Sequence, residues 1–116
     1  MMTQTKMPVQ TSIRIARTAL GSNDMVTGLS ELFRALGDPT RLKIVLALSV
    51  RELCVAELSR AIGMSESAVS HQLRLLKALR LIRPRKSGKQ VYYVLDDEHV
   101  DDVLRIGRLH ALERLR

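Results

Sequence analysis

Apolar residues recur at helical spacing along most of this chain, and the breaks in that spacing divide it into elements. Leu29, Leu32, Phe33 and Leu36 lie three and four apart and predict a helix that Gly37 ends. Asp38 then caps a second helix, with Pro39 at its first position. Leu42, Val45, Leu46 and Leu48 form its expected buried face. Residues 54–62 predict a third, short helix with Leu58 and Ile62 inward and Gly63 at its end. Ser65 is the next cap, and Glu66 favours a first turn through the helix dipole. Val69, Leu73, Leu76 and Leu79 make one apolar stripe along that helix, and Ser67, Ser70, His71, Arg74 and Lys77 lie on the other face.

The period then changes. Pro84 forbids further helix, and residues 82–86 and 91–95 are rich in strand formers on either side of Ser87-Gly88-Lys89-Gln90. That is a β-hairpin with a basic tip. Residues 98–115 predict a closing helix carrying Val100, Val103, Leu104, Ile106, Leu109 and Leu112. Gly107 in its middle costs about 1 kcal/mol against alanine and leaves room for close helix contact. Near the start, residues 1–11 read as a flexible arm and residues 13–20 as a short helix ended by Gly21. The arginines there and the scarcity of acids give a faint likeness to a transit peptide; a plain arm or a dimer-stabilising helix is the other reading. The expected organisation is an arm over residues 1–27 and one domain over residues 28–116, mainly α with a small β-hairpin.

Composition narrows the function classes. With 116 residues, 46% apolar, the chain can bury one core. The apolar run at residues 44–48 is far too short to span a bilayer. Aromatic residues are 3% of the chain, which argues against readers that stack bases on aromatic platforms. A single cysteine, Cys54, excludes an internal disulfide framework, and its apolar flanks point to core packing. The first residues lack the apolar core of a signal peptide. The expected compartment is a reducing cytoplasm, with no membrane partner.

Charge is focused. The whole chain carries +7, and residues 65–90 hold seven basic residues against one acid, net +6. Such a segment points to a polyanion. It coincides with two short helices, 54–62 and 66–79, meeting at Gly63-Met64-Ser65, the three-residue turn of a helix-turn-helix. The second helix would enter the major groove with its N-terminal half, offering Ser65, Ser67, Ser70 and His71 at close range. Gln72 either helps or faces inward. Arg74 and Lys77 suit phosphates or a guanine edge. Arg85, Lys86 and Lys89 make the hairpin a basic wing, so the expected partner is double-stranded DNA. Plain helical packing without DNA binding is the competing reading.

A second constellation lies on the last helix. Asp97 precedes His99 by two residues, and Glu113 follows His110 by three. Eleven residues are about three turns, so His99 and His110 point to nearly the same side, and Glu113 falls on it too, within roughly 40° of His99. The same eleven residues rise about 16 Å, so one helix cannot gather all four groups on one ion. Two such helices, antiparallel across a two-fold axis, can: Asp97 and His99 of one chain meet His110 and Glu113 of the other, twice per dimer. Two imidazoles and two carboxylates suit Zn(II); Co(II) fits similarly, and Ni(II) is possible although it prefers more ligands. The competing reading is an acidic helix start, Asp97 serving as an N-cap and the histidines solvated.

The segments Leu36-Gly37-Asp38-Pro39-Thr40-Arg41-Leu42, ELCVAEL at 52–58, SESAVSHQLRLLKAL at 65–79 and VYYVLDDEH at 91–99 together resemble the ArsR/SmtB family of metal-sensing repressors over about residues 29–114. Within it the chain is most similar to the zinc-sensing branch, whose ligands follow Asp-x-His and His-x-x-His or His-x-x-Glu; Asp97, His99, His110 and Glu113 match that pattern. The resemblance implies a winged helix-turn-helix homodimer, joined through its terminal helices, that binds its operator without metal and releases it with metal. Some members carry a second, thiolate-rich site. Cys54 and Glu57 match part of it, but residues 1–30 contain neither Cys nor His, which argues against a complete one. Three rivals remain open: a winged-helix repressor with a structural metal site or a redox signal at Cys54, a zinc enzyme, and a pure dimerisation module. Four protein ligands leave little open coordination for an enzyme, and no nucleophile motif accompanies them; a dimerisation module would leave the basic helix and wing unexplained.

Overall fold

The computed structural model describes residues 7–115. The chain divides into two compact units, residues 1–33 and 34–116, and the division falls inside a helix. The elements in order are α1 (Val9–Leu20), α2 (Asn23–Leu36), α3 (Pro39–Leu48), β1 (Leu53–Cys54), α4 (Val55–Ile62), α5 (Glu66–Ala78), β2 (Ile82–Ser87), β3 (Gln90–Leu95) and α6 (Glu98–Arg114).

In the first unit α1 begins at Val9, behind Pro8, four residues before the expected start. Proline fits that place because the first turn has no use for its missing N–H. Gly21, at φ 65°, ends the helix in a conformation that L side chains avoid. No residue of α1 is buried. Val9, Ile13, Ile15, Leu20, Met25, Val26, Leu29 and Phe33 are all exposed.

The second unit holds the core. Asp38 caps α3 by accepting from the Arg41 N–H at 3.0 Å, with Pro39 next in line. The buried positions of α3 are Ile44, Val45 and Leu48, while Leu42 and Leu46 are half-buried. The expected single stripe is thus corrected: α3 packs against α4, α5 and β3, and neighbours on several sides do not select one face. Leu58 of α4 and Val69, Leu73 and Leu76 of α5 are almost wholly enclosed, whereas Ile62 is half-buried and Leu79, the C-cap of α5, is exposed. Leu81 and Ile82 carry the core into the sheet, and Val100 and Leu104 close it from α6.

The hairpin has a third strand. The sheet order is β1-β3-β2, all antiparallel, with Leu53 opposite Tyr93 and Cys54 opposite Tyr92. The third helix therefore starts at Val55, since residues 53 and 54 are extended. β2 and β3 pair from Ile82 opposite Leu95 to Ser87 opposite Gln90. Gly88 and Lys89 make a two-residue turn with positive φ at Gly88 alone, the pattern of a type II′ turn. Pro84 is tolerated because β2 is an edge strand.

Candidate nucleic-acid interface and metal centre

Two helix caps and a glycine aim α5. Gly63 ends α4 in the left-handed conformation, φ 79°, and its N–H donates to Ser59 O. The Ser59 hydroxyl donates to Met64 O, which fastens the turn. Ser65 Oγ accepts from the Ala68 N–H at 3.1 Å and starts α5. With Val69, Leu73 and Leu76 inward, Ser65, Ser67, His71, Arg74 and Lys77 are exposed and Ser70 is half-buried. Six of the expected DNA-facing residues thus share the outer side of one helix and its cap.

Gln72 turns inward. Its Oε1 lies 3.5 Å from Arg41 Nη1, and the same guanidinium donates through Nε to Ala35 O at 3.0 Å and through Nη2 to Arg34 O at 3.3 Å.

On the wing, Lys86 and Lys89 are exposed near the turn. Arg85 is engaged differently. It forms a bidentate pair with Glu52, Nε to Oε2 at 2.8 Å and Nη2 to Oε1, and its guanidinium sits 5.3 Å from the centroid of the Tyr92 ring. The hydrogen bond from Arg85 holds the Glu52 carboxyl below the usual carboxylate range, and the Arg85 pKa is raised in return. Glu52 is a charged partner that the sequence reading missed.

The candidate metal ligands lie on α6 and its cap. Asp97 Oδ1 accepts from the N–H groups of His99 at 2.9 Å and Val100 at 3.2 Å, so Asp97 is the N-cap of the helix. These two backbone bonds, the one from Val100 foremost, hold its pKa below the usual range, so it is a carboxylate at neutral pH. His99 Nδ1 stands 3.6 Å from Asp97 Oδ1, with the imidazole largely exposed. His110 and Glu113 are exposed near the other end. Among the described residues no three His, Cys, Asp or Glu side chains gather closely enough to hold a metal ion within one chain. The structure brings together Asp97 with His99, and His110 with Glu113 one turn apart, and leaves the two pairs at opposite ends of the helix. Between them Ile106 and Leu109 are exposed, as is Leu112 beyond.

Cys54 is buried, and its N–H donates to Glu57 Oε1 at 3.0 Å. That bond, from the Cys54 backbone, lowers the Glu57 pKa. The pair thus serves as the cap of α4. Among the described residues no helix is long and apolar enough to cross a membrane.

Known proteins agree with this architecture. The family model for the bacterial regulatory protein, arsR family, matches residues 38–83, which span α3 to the start of the wing. The transcriptional repressor SmtB homolog of Synechocystis sp. is 45% identical over 101 residues, covering 87% of this chain and 76% of that one. The cadmium resistance transcriptional regulatory protein CadC homolog of Staphylococcus aureus is 46% identical over 86 residues, covering 73% and 71%. Among solved structures, the homodimeric winged helix-turn-helix DNA-binding domain of a possible ArsR-family regulator from Mycobacterium bovis superposes with a TM-score of 0.75 at 27% identity, covering 82% of this chain and 92% of that one. Winged helix-turn-helix, focused basic charge and relatives of this extent converge: the chain belongs to the ArsR family of bacterial regulatory proteins and is a transcriptional regulator, not an enzyme.

Proposed function

We propose that this chain is a zinc-responsive repressor. It binds a pseudo-palindromic operator as a metal-free homodimer and leaves it when Zn(II), or Co(II), is bound between subunits. Asp97 and His99 of one subunit and His110 and Glu113 of the other are the proposed ligands.

One observation carries this reading: the four donors stand exposed as two pairs on α6 and its cap, too far apart to share an ion within one chain. Two nitrogen and two carboxylate donors fit the preference of Zn(II) and Co(II). The capping bonds of Asp97 both fall on Oδ1. The exposed Ile106, Leu109 and Leu112 give the same helix an apolar surface to bury against a second copy. Dimerisation there would set the spacing of two α5 helices to about one turn of DNA or a multiple. Bound metal supplies a crosslink between subunits; Ser65, Ser67, Ser70, His71, Arg74, Lys77, Lys86 and Lys89 supply the DNA contacts. The relatives described as an SmtB homolog and as a cadmium resistance regulator support a metal signal and leave its identity to this donor set.

The test is an anisotropy titration of the DNA upstream of the gene with metal-free protein, repeated with each divalent ion. His110→Ala should keep metal-free binding and lose the response to Zn(II). Loss of metal-free binding as well would make His110 structural. A Zn(II) response that persists in His110→Ala but vanishes in Cys54→Ser would move the metal site to the Cys54 thiolate, and release by an oxidant such as peroxide in place of metal, lost in Cys54→Ser, would replace the metal reading with a redox one.

A further inference from the structure

We propose that Arg85 is not a phosphate contact but half of a brace, with Glu52, that sets the pitch of the wing. The inference rests on the operator-binding reading and refines it: the working cations of the wing are then Lys86 and Lys89 near the tip.

The topology makes this brace specific. Arg85 lies on β2, Tyr92 is its register partner on β3, and Glu52 immediately precedes β1 on the far side of β3. The ion pair therefore crosses the sheet, joining the two outer strands over the middle one, with the Tyr92 ring under the guanidinium. β1 is only two residues long. A strand so short holds little by its own ladder, and the side-chain pair adds a second link between the wing and the start of α4. The geometry is the fork-on-fork arrangement in which the Nε–Nη2 edge of the guanidinium meets both carboxylate oxygens. An arginine held this way has its charge matched and that edge committed to Glu52. Lys86 and Lys89, by contrast, take part in no ion pair among the described residues.

Ionic strength separates the two roles. A side chain that neutralises a phosphate contributes about 0.9 to the slope of log affinity against log salt, and a brace contributes nothing. Anisotropy titrations of operator DNA across a salt series should show Lys89→Gln flattening the slope by about 0.9. Arg85→Gln should weaken binding while its slope stays parallel to wild type. Hydrogen exchange of the β2 and β3 amides, measured without DNA, supplies the second arm. Arg85→Gln and Glu52→Gln should each speed wing exchange about threefold, as for loss of a modest ion pair, and the double variant should be no faster than either single one. Wing exchange unchanged by Glu52→Gln overturns the brace, and so does a slope lost in Arg85→Gln. If wild type binds no DNA, the operator reading fails, and the exchange arm alone still decides the brace.

Discussion

Arg41 and Gln72 tie the last turn of α2 to the recognition helix: the arginine reaches Gln72 at 3.5 Å with one nitrogen while its other two donate to the carbonyls of Arg34 and Ala35. The carbonyls at a helix C-terminus have no partner of their own. One planar guanidinium serves them and α5 at once, which a single ammonium point cannot. Arg41→Lys should therefore destabilise the domain by about 1–2 kcal/mol, read from urea unfolding. Gln72→Ala should cost less in stability, because the backbone bonds of Arg41 survive. If Arg41→Lys is neutral in urea, the three bonds do not act as a strut.

Arg80 occupies a position that glycine fits better. It is the one non-glycine residue with positive φ among those described, at 59°. It follows the C-cap of α5, where its N–H donates to Lys77 O and that of Leu81 to Leu76 O, a left-handed helix ending. An L side chain there is strained by about 1–2 kcal/mol. Part of that gain is offset by the greater freedom of glycine in the unfolded chain, so Arg80→Gly should raise stability by about 1 kcal/mol. A lower melting temperature in Arg80→Gly would show that its side chain holds the turn.

The parts of the fold set by local chemistry were legible in the sequence. Asp38-Pro39, Gly63, Ser65 and Gly88 each act within a few residues, and each sits at the boundary it predicts. What escaped depends on pairing across the chain. Leu53 and Cys54 have too few residues to show a strand period and are extended only because β3 lies beside them. The Glu52–Arg85 pair needs the β1-β3-β2 order, which no spacing reveals. Ile44 replaces Leu42 and Leu46 in the core because α3 is covered from several sides. For the candidate site, helical spacing puts His99, His110 and Glu113 on one side of α6, whereas Asp97 as a helix cap and Gln72 as an inward residue were each one of two open readings, decided by their hydrogen bonds.

Glu57 links acidity to stability. Its folded pKa is depressed by the backbone N–H of Cys54, so its contribution is full above the ordinary carboxylate range and is lost as pH falls through the folded value. On acidification, wild type should thus lose stability more steeply than Glu57→Gln, and the two curves should converge at the acid end. Parallel curves in a thermal-melt series would show that the cap carries no proton linkage.

Ile106 separates an intersubunit metal site from one within a chain. It lies seven residues after His99 and four before His110, hence on the same side of α6, and it is 60% exposed. If two α6 helices run antiparallel with the ligand pairs facing, their midpoint falls between residues 104 and 105, which puts Ile106 beside the two-fold axis. A charge there meets its own copy across the axis and is removed from water, and both effects oppose association. None of the four proposed ligands is altered by the change. Ile106→Arg, which brings charge but no metal donor, should therefore sediment as a monomer and bind Zn(II) about 100-fold more weakly, since two ligands remain where four were needed, while circular dichroism shows the helices intact. A monomeric Ile106→Arg that holds Zn(II) as tightly as wild type would mean that one chain suffices, and the proposed shared site would fall.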